Sequence, residues 1–322
     1  MSSMSKKQTI QSIVVGFVSG ILLTIGGYNT INYYKTTSEN TQSQETTSKK
    51  DTLIVLSPHF DDAVLTVGDL IAEYTGTKYI VTFCSTPEIL PSSTSTKPYL
   101  THWDELSGFE KSIDSRNARI QENETAAKII GAKTINLRYV DGQYETRTPT
   151  DNSALVQSMV KDVEDIIKLI QASHNSRIMI IGPSYFGPDH THQDHFLVSK
   201  TLVQVAKDNF DNQLINCFFN EDNPYTSKKF GVEEITLDNI LTDFYEEIRL
   251  KKREIIISEK SFNLKLQAIR AYTSQVLAFH NLGDNILEIT TKYEMNRIPQ
   301  NPLPQKPFVV LYEIKEIKSP RK

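Results

Sequence analysis

Cysteine is almost missing from this chain: two residues in 322, Cys84 and Cys217. Two cysteines make neither a disulfide framework nor a Cys-rich zinc site. Both sit inside apolar, strand-like runs, where a small buried hydrophobe is the expected role. Glycine and proline are sparse as well, 13 of each, which argues against a low-complexity or disordered chain. Charge of one sign is not in excess either, since 35 basic residues against 39 acidic ones leave a net charge of −4. With no basic patch and no aromatic RNA-binding signature, nucleic acid is not an expected partner. No G-x-G-x-x-G follows the first predicted strand, which disfavours a dinucleotide-dependent oxidoreductase. What remains is a chain with 39% hydrophobic residues, enough for one large or two small globular domains.

Charge is also absent locally. After Lys6 and Lys7, no charged residue occurs from Gln8 to Tyr34, and Ile13 to Ile25 is strongly apolar. The run with its uncharged flanks approaches the roughly 20 residues that a bilayer span needs. The preceding lysines place the N-terminus inside, and no small-x-small cleavage site stands out. Residues 1–34 are therefore expected to be a membrane anchor or signal segment, uncleaved in preference to removed, with a buried soluble helix as the alternative. Residues 35–50, KTTSENTQSQETTSKK, lack any large apolar side chain and read as a flexible tether. The folded domain is expected over 51–318, outside the cytoplasm or secreted.

From residue 51 onward, buried-strand patterns alternate with helical ones. DTLIVLSP, KYIVTFCS, TINLRYV, RIMIIGPS, QLINCFFN and PFVVLYEI read as strands. DAVLTVGDLIAEY, SRNARIQENETAAKIIGA, ALVQSMVKDVEDIIKLIQA and DHFLVSKTLVQVAKDNF read as helices. Two further helices are expected over roughly Leu237–Ser258 and Ser261–Phe279. The alternation predicts an α/β fold with a mostly parallel sheet and helices on both faces. In such folds ligands bind beyond the carboxyl ends of the strands. The connection from Thr86 to Ser112 is long enough to be functional, or else an ordinary surface loop with its one tryptophan, Trp103, packed down.

Two short clusters carry the chemistry. SPHFDDAVL places His59, Asp61 and Asp62 where the first strand gives way to a helix. GPDHTHQDHFLVSK places His190, His192, Asp194 and His195 at a similar junction. A capping aspartate would explain one carboxylate in each, but not the imidazoles: four of the seven histidines fall in these two stretches. His59 and Asp62 stand three apart, as do His192 and His195, a spacing at which side chains converge on a helix surface. Imidazole and carboxylate together suit a borderline divalent metal, zinc above all. Two histidines and one carboxylate leave an open position, the catalytic arrangement. Asp61 and one of His190 or His192 are then left to handle protons.

PHFDDAVL with HQDH resembles the PIG-L-type (LmbE-like) deacetylases, which remove acyl groups from N-acylated amino sugars with zinc. RIQENETAAKIIGA, FFNEDNPY and KLQAIRAYTSQ agree with further family segments in the family's order, so that the resemblance covers roughly residues 51–280. It implies a Rossmann-like catalytic domain. It makes His59, Asp62 and His195 ligands of Zn2+ (or another divalent metal) and Asp61 the general base. It makes His192, in protonated form, the acid or transition-state stabiliser, and Asp194 the residue that orients a histidine. His190 falls outside the motif as a loop residue. Arg119 is placed to meet a substrate hydroxyl or carboxylate, against the alternative of a solvated helix arginine paired with Glu122. Ala63 stands where many members carry Glu; some members that act on acylated sugars of larger glycoconjugates resemble this alanine version, so it does not imply loss of activity. The rival readings are a zinc amidase or esterase on a non-sugar substrate and a catalytically inactive, membrane-tethered glycan-binding protein.

Overall fold

The computed structural model describes residues 51–87, 100–145, 152–173, 176–184, 192–224, 248–296 and 307–317. The anchor and tether expected over 1–50, and His190, lie outside the described residues. Among the described residues no helix is long and apolar enough to cross a membrane.

The first strand, β1 (Thr52–Ser57), is buried at every position, as its uninterrupted apolar run demands of a central strand. It pairs in parallel with β2 (Thr77–Thr86) on one side and β4 (Ile178–Ser184) on the other. Beyond them lie β3 (Lys133–Val140) and β5 (Ile215–Glu221), also parallel. Two antiparallel strands, β7 (Phe308–Ile317) and β6 (Ile248–Ile256), complete a seven-stranded sheet in the order β3-β2-β1-β4-β5-β7-β6. The order reverses between β1 and β4, the switch point at which such sheets open a crevice.

The helices are α1 (Asp62–Glu73), α2 (His102–Leu106), α3 (Ser112–Ile129), α4 (Ser153–Ser173), α5 (Gln193–Asp208), α6 (Glu259–Ala271), α7 (Thr273–Asn281) and α8 (Ile286–Asn296). Successive β1 side chains face opposite layers. Leu53 and Val55 pack with the α1, α3 and α6 layer, while Ile54 and Leu56 pack with α4 and α5. The result is a single α/β domain with helices on both faces, as the alternation predicts. Cys84 and Cys217 are free and buried.

Two expectations are corrected. The described part of the helix expected over 237–258 is the edge strand β6, whose register with β7 runs from Ile248↔Ile317 to Ile256↔Phe308. Its Leu, Lys, Arg and Glu are helix formers, but pairing with a neighbouring strand overrides that weak preference. The helix expected over Ser261–Phe279 breaks at Tyr272 (φ −81, ψ 64), which closes α6 and opens α7. There the Tyr272 hydroxyl reaches the Phe60 carbonyl at 2.9 Å, tying the break to the loop that carries His59.

Candidate metal and catalytic site

Every candidate ligand sits at the carboxyl end of a parallel strand or in the first turn of the helix that follows. After β1 the chain turns sharply. Ser57 Oγ donates to the His59 carbonyl at 2.6 Å and accepts the Ala63 N–H at 3.0 Å. This brings Asp62 Oδ2 within 2.8 Å of the His59 backbone N–H and 3.2 Å of His59 Nδ1. From the start of α5, His195 presents Nε2 to the same oxygen at 3.4 Å. His59, Asp62 and His195 thus offer one donor atom each, all mutually within 4.8 Å.

Each histidine is held from behind. His59 Nε2 lies 2.9 Å from Asp194 Oδ2, which also accepts the Gly142 N–H at 2.8 Å. A Cβ on Gly142 would stand 3.0 Å from that carboxylate, a tight contact that would press it away from the Gly142 N–H. His195 Nδ1 lies 2.6 Å from Asp222 Oδ2, just beyond β5. The inward-facing nitrogens and the outward carboxylates are the two halves of a carboxylate–histidine–metal arrangement. A second group, His59, Asp141 and Asp194, also has metal-like spacing. Its carboxylates also accept from Gly142, Gln143 and Arg119.

The donor set fits a divalent cation on chemical grounds. Five carboxylates (Asp61, Asp62, Asp141, Asp194 and Asp222) are buried around two imidazoles and the guanidinium of Arg119. Burial disfavours charge on His59, yet Asp141, Asp194 and Asp62 together hold its pKa well above the usual imidazole range. His195 is likewise raised against the effect of burial, by Asp222 and Asp62. The site favours positive charge, which a divalent cation held by His59, Asp62 and His195 would supply.

Asp61 and His192 occupy equivalent places, each the N-cap of its helix, and neither side chain makes a capping hydrogen bond. Burial and the adjacent Asp62 raise the Asp61 carboxyl to about 6, with Arg119 and His59 pulling the other way. Burial, His195 and His59 push His192 down to about 4. A nearby cation would counter the rise of Asp61 and add to the lowering of His192.

Arg119 is buried and is not a solvated helix arginine paired with Glu122. Its Nη1 donates to Asp141 at 3.3 Å, Nη2 lies 3.7 Å from Asp61, and its guanidinium lies over the Phe60 ring at 5.5 Å. Glu122 turns instead to α7, accepting from Thr273 Oγ1, Ser274 N and Ser274 Oγ. Asp141 continues through Gln143 Nε2 (2.9 Å), whose Oε1 accepts from Thr101 Oγ1 (2.7 Å) at the start of α2. Trp103 packs edge-on against Phe279 and donates to Gln275 Oε1 at 2.8 Å. Sequence reasoning missed Asp141 and Asp222. Their signal was position, one residue beyond the ends of β3 and β5.

Residues 54–206 match the family model PIG-L, GlcNAc-PI de-N-acetylase, and the chain carries a PIG-L family domain. No curated protein matches it by sequence. Among solved structures, the A40926 pseudoaglycone deacetylase Dbv21 aligns with TM-score 0.64 and 19% identity, over 84% of this chain and 100% of its own. A deacetylase of teicoplanin biosynthesis aligns with TM-score 0.62 and 18% identity over the same shares. The zinc-inhibited form of teicoplanin deacetylase Orf2 aligns with TM-score 0.61 and 16% identity, again over 84% and 100%. At these identities the likeness is one of fold.

Proposed function

We propose that the protein is a metal-dependent hydrolase that removes the acetyl or acyl group from an N-acylated amino sugar or glycoconjugate. The observation that carries the reading is the meeting of His59 Nδ1 and His195 Nε2 at Asp62 Oδ2, with the uncapped N-cap side chains Asp61 and His192 beside it. The family model describes an amide hydrolysis on such a sugar, and two structures of similar fold are the A40926 pseudoaglycone deacetylase and a deacetylase of teicoplanin biosynthesis.

His59, Asp62 and His195 would hold the cation, zinc by the chemistry of the donors. When bound, it would polarise the amide carbonyl and acidify a water molecule. Asp61 accepts the proton that water gives up on attack, and its raised pKa makes it a competent base. Neutral His192 donates its ring N–H to the oxygen that gains negative charge. The proton on Asp61 passes to the departing amine, which leaves as the C–N bond breaks. Asp194 and Asp222 fix the ring orientations of His59 and His195, and Arg119 holds Asp61 and Asp141 in place. Arg119 is buried, so contact with substrate requires the sugar to reach into the cleft beside Asp61.

The test is metal analysis of the purified chain coupled to acetate release from a panel of N-acetyl sugars, peptides and esters. Stoichiometric zinc with release from sugars supports the reading. Release from peptides or esters alone points to the amidase or esterase alternative, and sugar binding without release to a glycan-binding protein. We further propose that residues 1–34 anchor the protein, the tether over 35–50 carrying the domain outside the cytoplasm. Cell fractionation tests this, because release of the full-length chain with the soluble fraction would contradict it.

A further inference from the structure

The chemistry above uses the first turn of α1 and leaves Lys265 and Asp69 without a role, yet both are 0% exposed. Lys265 Nζ lies 3.5 Å from Asp69 Oδ1. A buried ion pair is poor evidence for stability, because desolvation offsets the attraction. Asp69 Oδ2 is moreover buried with no hydrogen-bond partner, which adds to the cost.

The backbone shows what the pair does. Val67 has φ −124 and ψ 23, outside the helical range, so α1 is broken just past its first turn. In an unbroken helix the Leu70 N–H would donate to the Thr66 carbonyl. Here Lys265 Nζ donates to the Thr66 carbonyl at 2.9 Å, and the Leu70 N–H donates to Asp69 Oδ1 at 3.0 Å. The ion pair thus serves both groups that the break separates, and a side chain inserted into the ladder is a known cause of kinks. Gly68 leaves the room: a Cβ there would stand 3.2 Å from Lys265 Cγ and 3.2 Å from Val64 Cγ1. Thr66 Oγ1 in turn donates to the Asp62 carbonyl at 2.7 Å. A continuous path runs from Lys265 through Thr66 to Asp62.

We propose that Lys265 and Asp69 form an ionic clamp inserted into α1 that aims its first turn, and with it Asp62 Oδ2, at His59 and His195. Lys265 is a positioning residue, since it touches none of the three ligands. The clamp rests on the reading that these three hold a divalent cation.

The test uses the full chain, with zinc affinity read by competition against a chromophoric chelator and metal-free stability read by urea unfolding. Lys265→Met alone strands the Asp69 charge in the interior and should destabilise the fold. The double variant Lys265→Met/Asp69→Asn removes both charges and should regain most of that stability, yet bind zinc about tenfold more weakly. Thr66→Val cuts the path at its last step without touching the pair, and should weaken zinc binding in the same direction. Wild-type zinc affinity in the double variant and in Thr66→Val overturns the clamp. A wild-type chain that takes up no zinc overturns the cation reading itself, a failure visible before any variant is made.

Discussion

Helices α1 and α5 begin alike and are held differently. Each opens at the end of a central parallel strand, and each places a candidate proton-handling side chain, Asp61 or His192, at an N-cap that caps nothing. Each then contributes a candidate ligand from its first turn, Asp62 or His195. The α5 ligand is fixed by its own side chain, through Asp222 at 2.6 Å, on a helix without a break. The α1 candidate accepts the His59 N–H at 2.8 Å and stands on a helix split at Val67, where Lys265 and Asp69 serve the separated backbone groups. The difference follows from chemistry. An imidazole has a second nitrogen by which a neighbour can orient it. A carboxylate that ligates through one oxygen is aimed most firmly by the backbone that carries it.

The sharpest way to separate the two N-caps is to remove each in turn. Asp61→Ala should leave zinc bound while reducing kcat by about 10²–10⁴-fold, the usual worth of a positioned base. Full activity in this variant would break the assignment. His192→Ala should also retain zinc and lower kcat by about 10²–10³-fold, as loss of an oxyanion donor does. Acetate release on the best substrate of the panel and metal analysis of the same samples read both outcomes. The contrast between ligand supports comes next. Asp222→Asn keeps the size of the side chain but can present its amide nitrogen to His195, and should weaken zinc binding by about 10–100-fold. A chelator competition that gave the wild-type value would show that α5 alone holds His195.

The parallel half of the fold was legible because its strands are buried on both faces and write uninterrupted apolar runs. The two ligand clusters were legible because the candidate ligands lie within four residues of one another in each stretch. Asp141 and Asp222 were hidden for the opposite reason. Each stands far in sequence from the two clusters, brought to the site only by the strand order that sets β3 and β5 on either side of the crevice. The antiparallel strand β6 was misread because its composition is helical and its pairing partner, β7, comes some 50 residues later. Arg119 shows the same limit. The sequence offers Glu122 one turn on, whereas the fold supplies Asp61 and Asp141 from two different loops. The break in α1 leaves one trace in the sequence, Gly68 inside a helical pattern, and its cause lies nearly 200 residues away at Lys265.

The smallest expected effect bears on the inverted proton affinities of the two N-caps. Asp61 must be ionised to accept a proton, and burial with Asp62 raises its carboxyl to about 6. As pH falls through that value the base is lost, so kcat/KM should decline on the acid side with a slope of one. A bound cation favours the charged carboxylate and moves this limb lower, which makes about 6 its upper bound. His192, pushed down to about 4 by burial and its neighbouring histidines, stays neutral across this range and contributes no limb above pH 5. Arg119 opposes the rise of Asp61, so Arg119→Met should shift the limb upward while leaving its slope unchanged. A wild-type limb above pH 7 would remove Asp61 from the role of base, and a limb that Arg119→Met leaves in place would show that the guanidinium, 3.7 Å from Asp61, does not tune it.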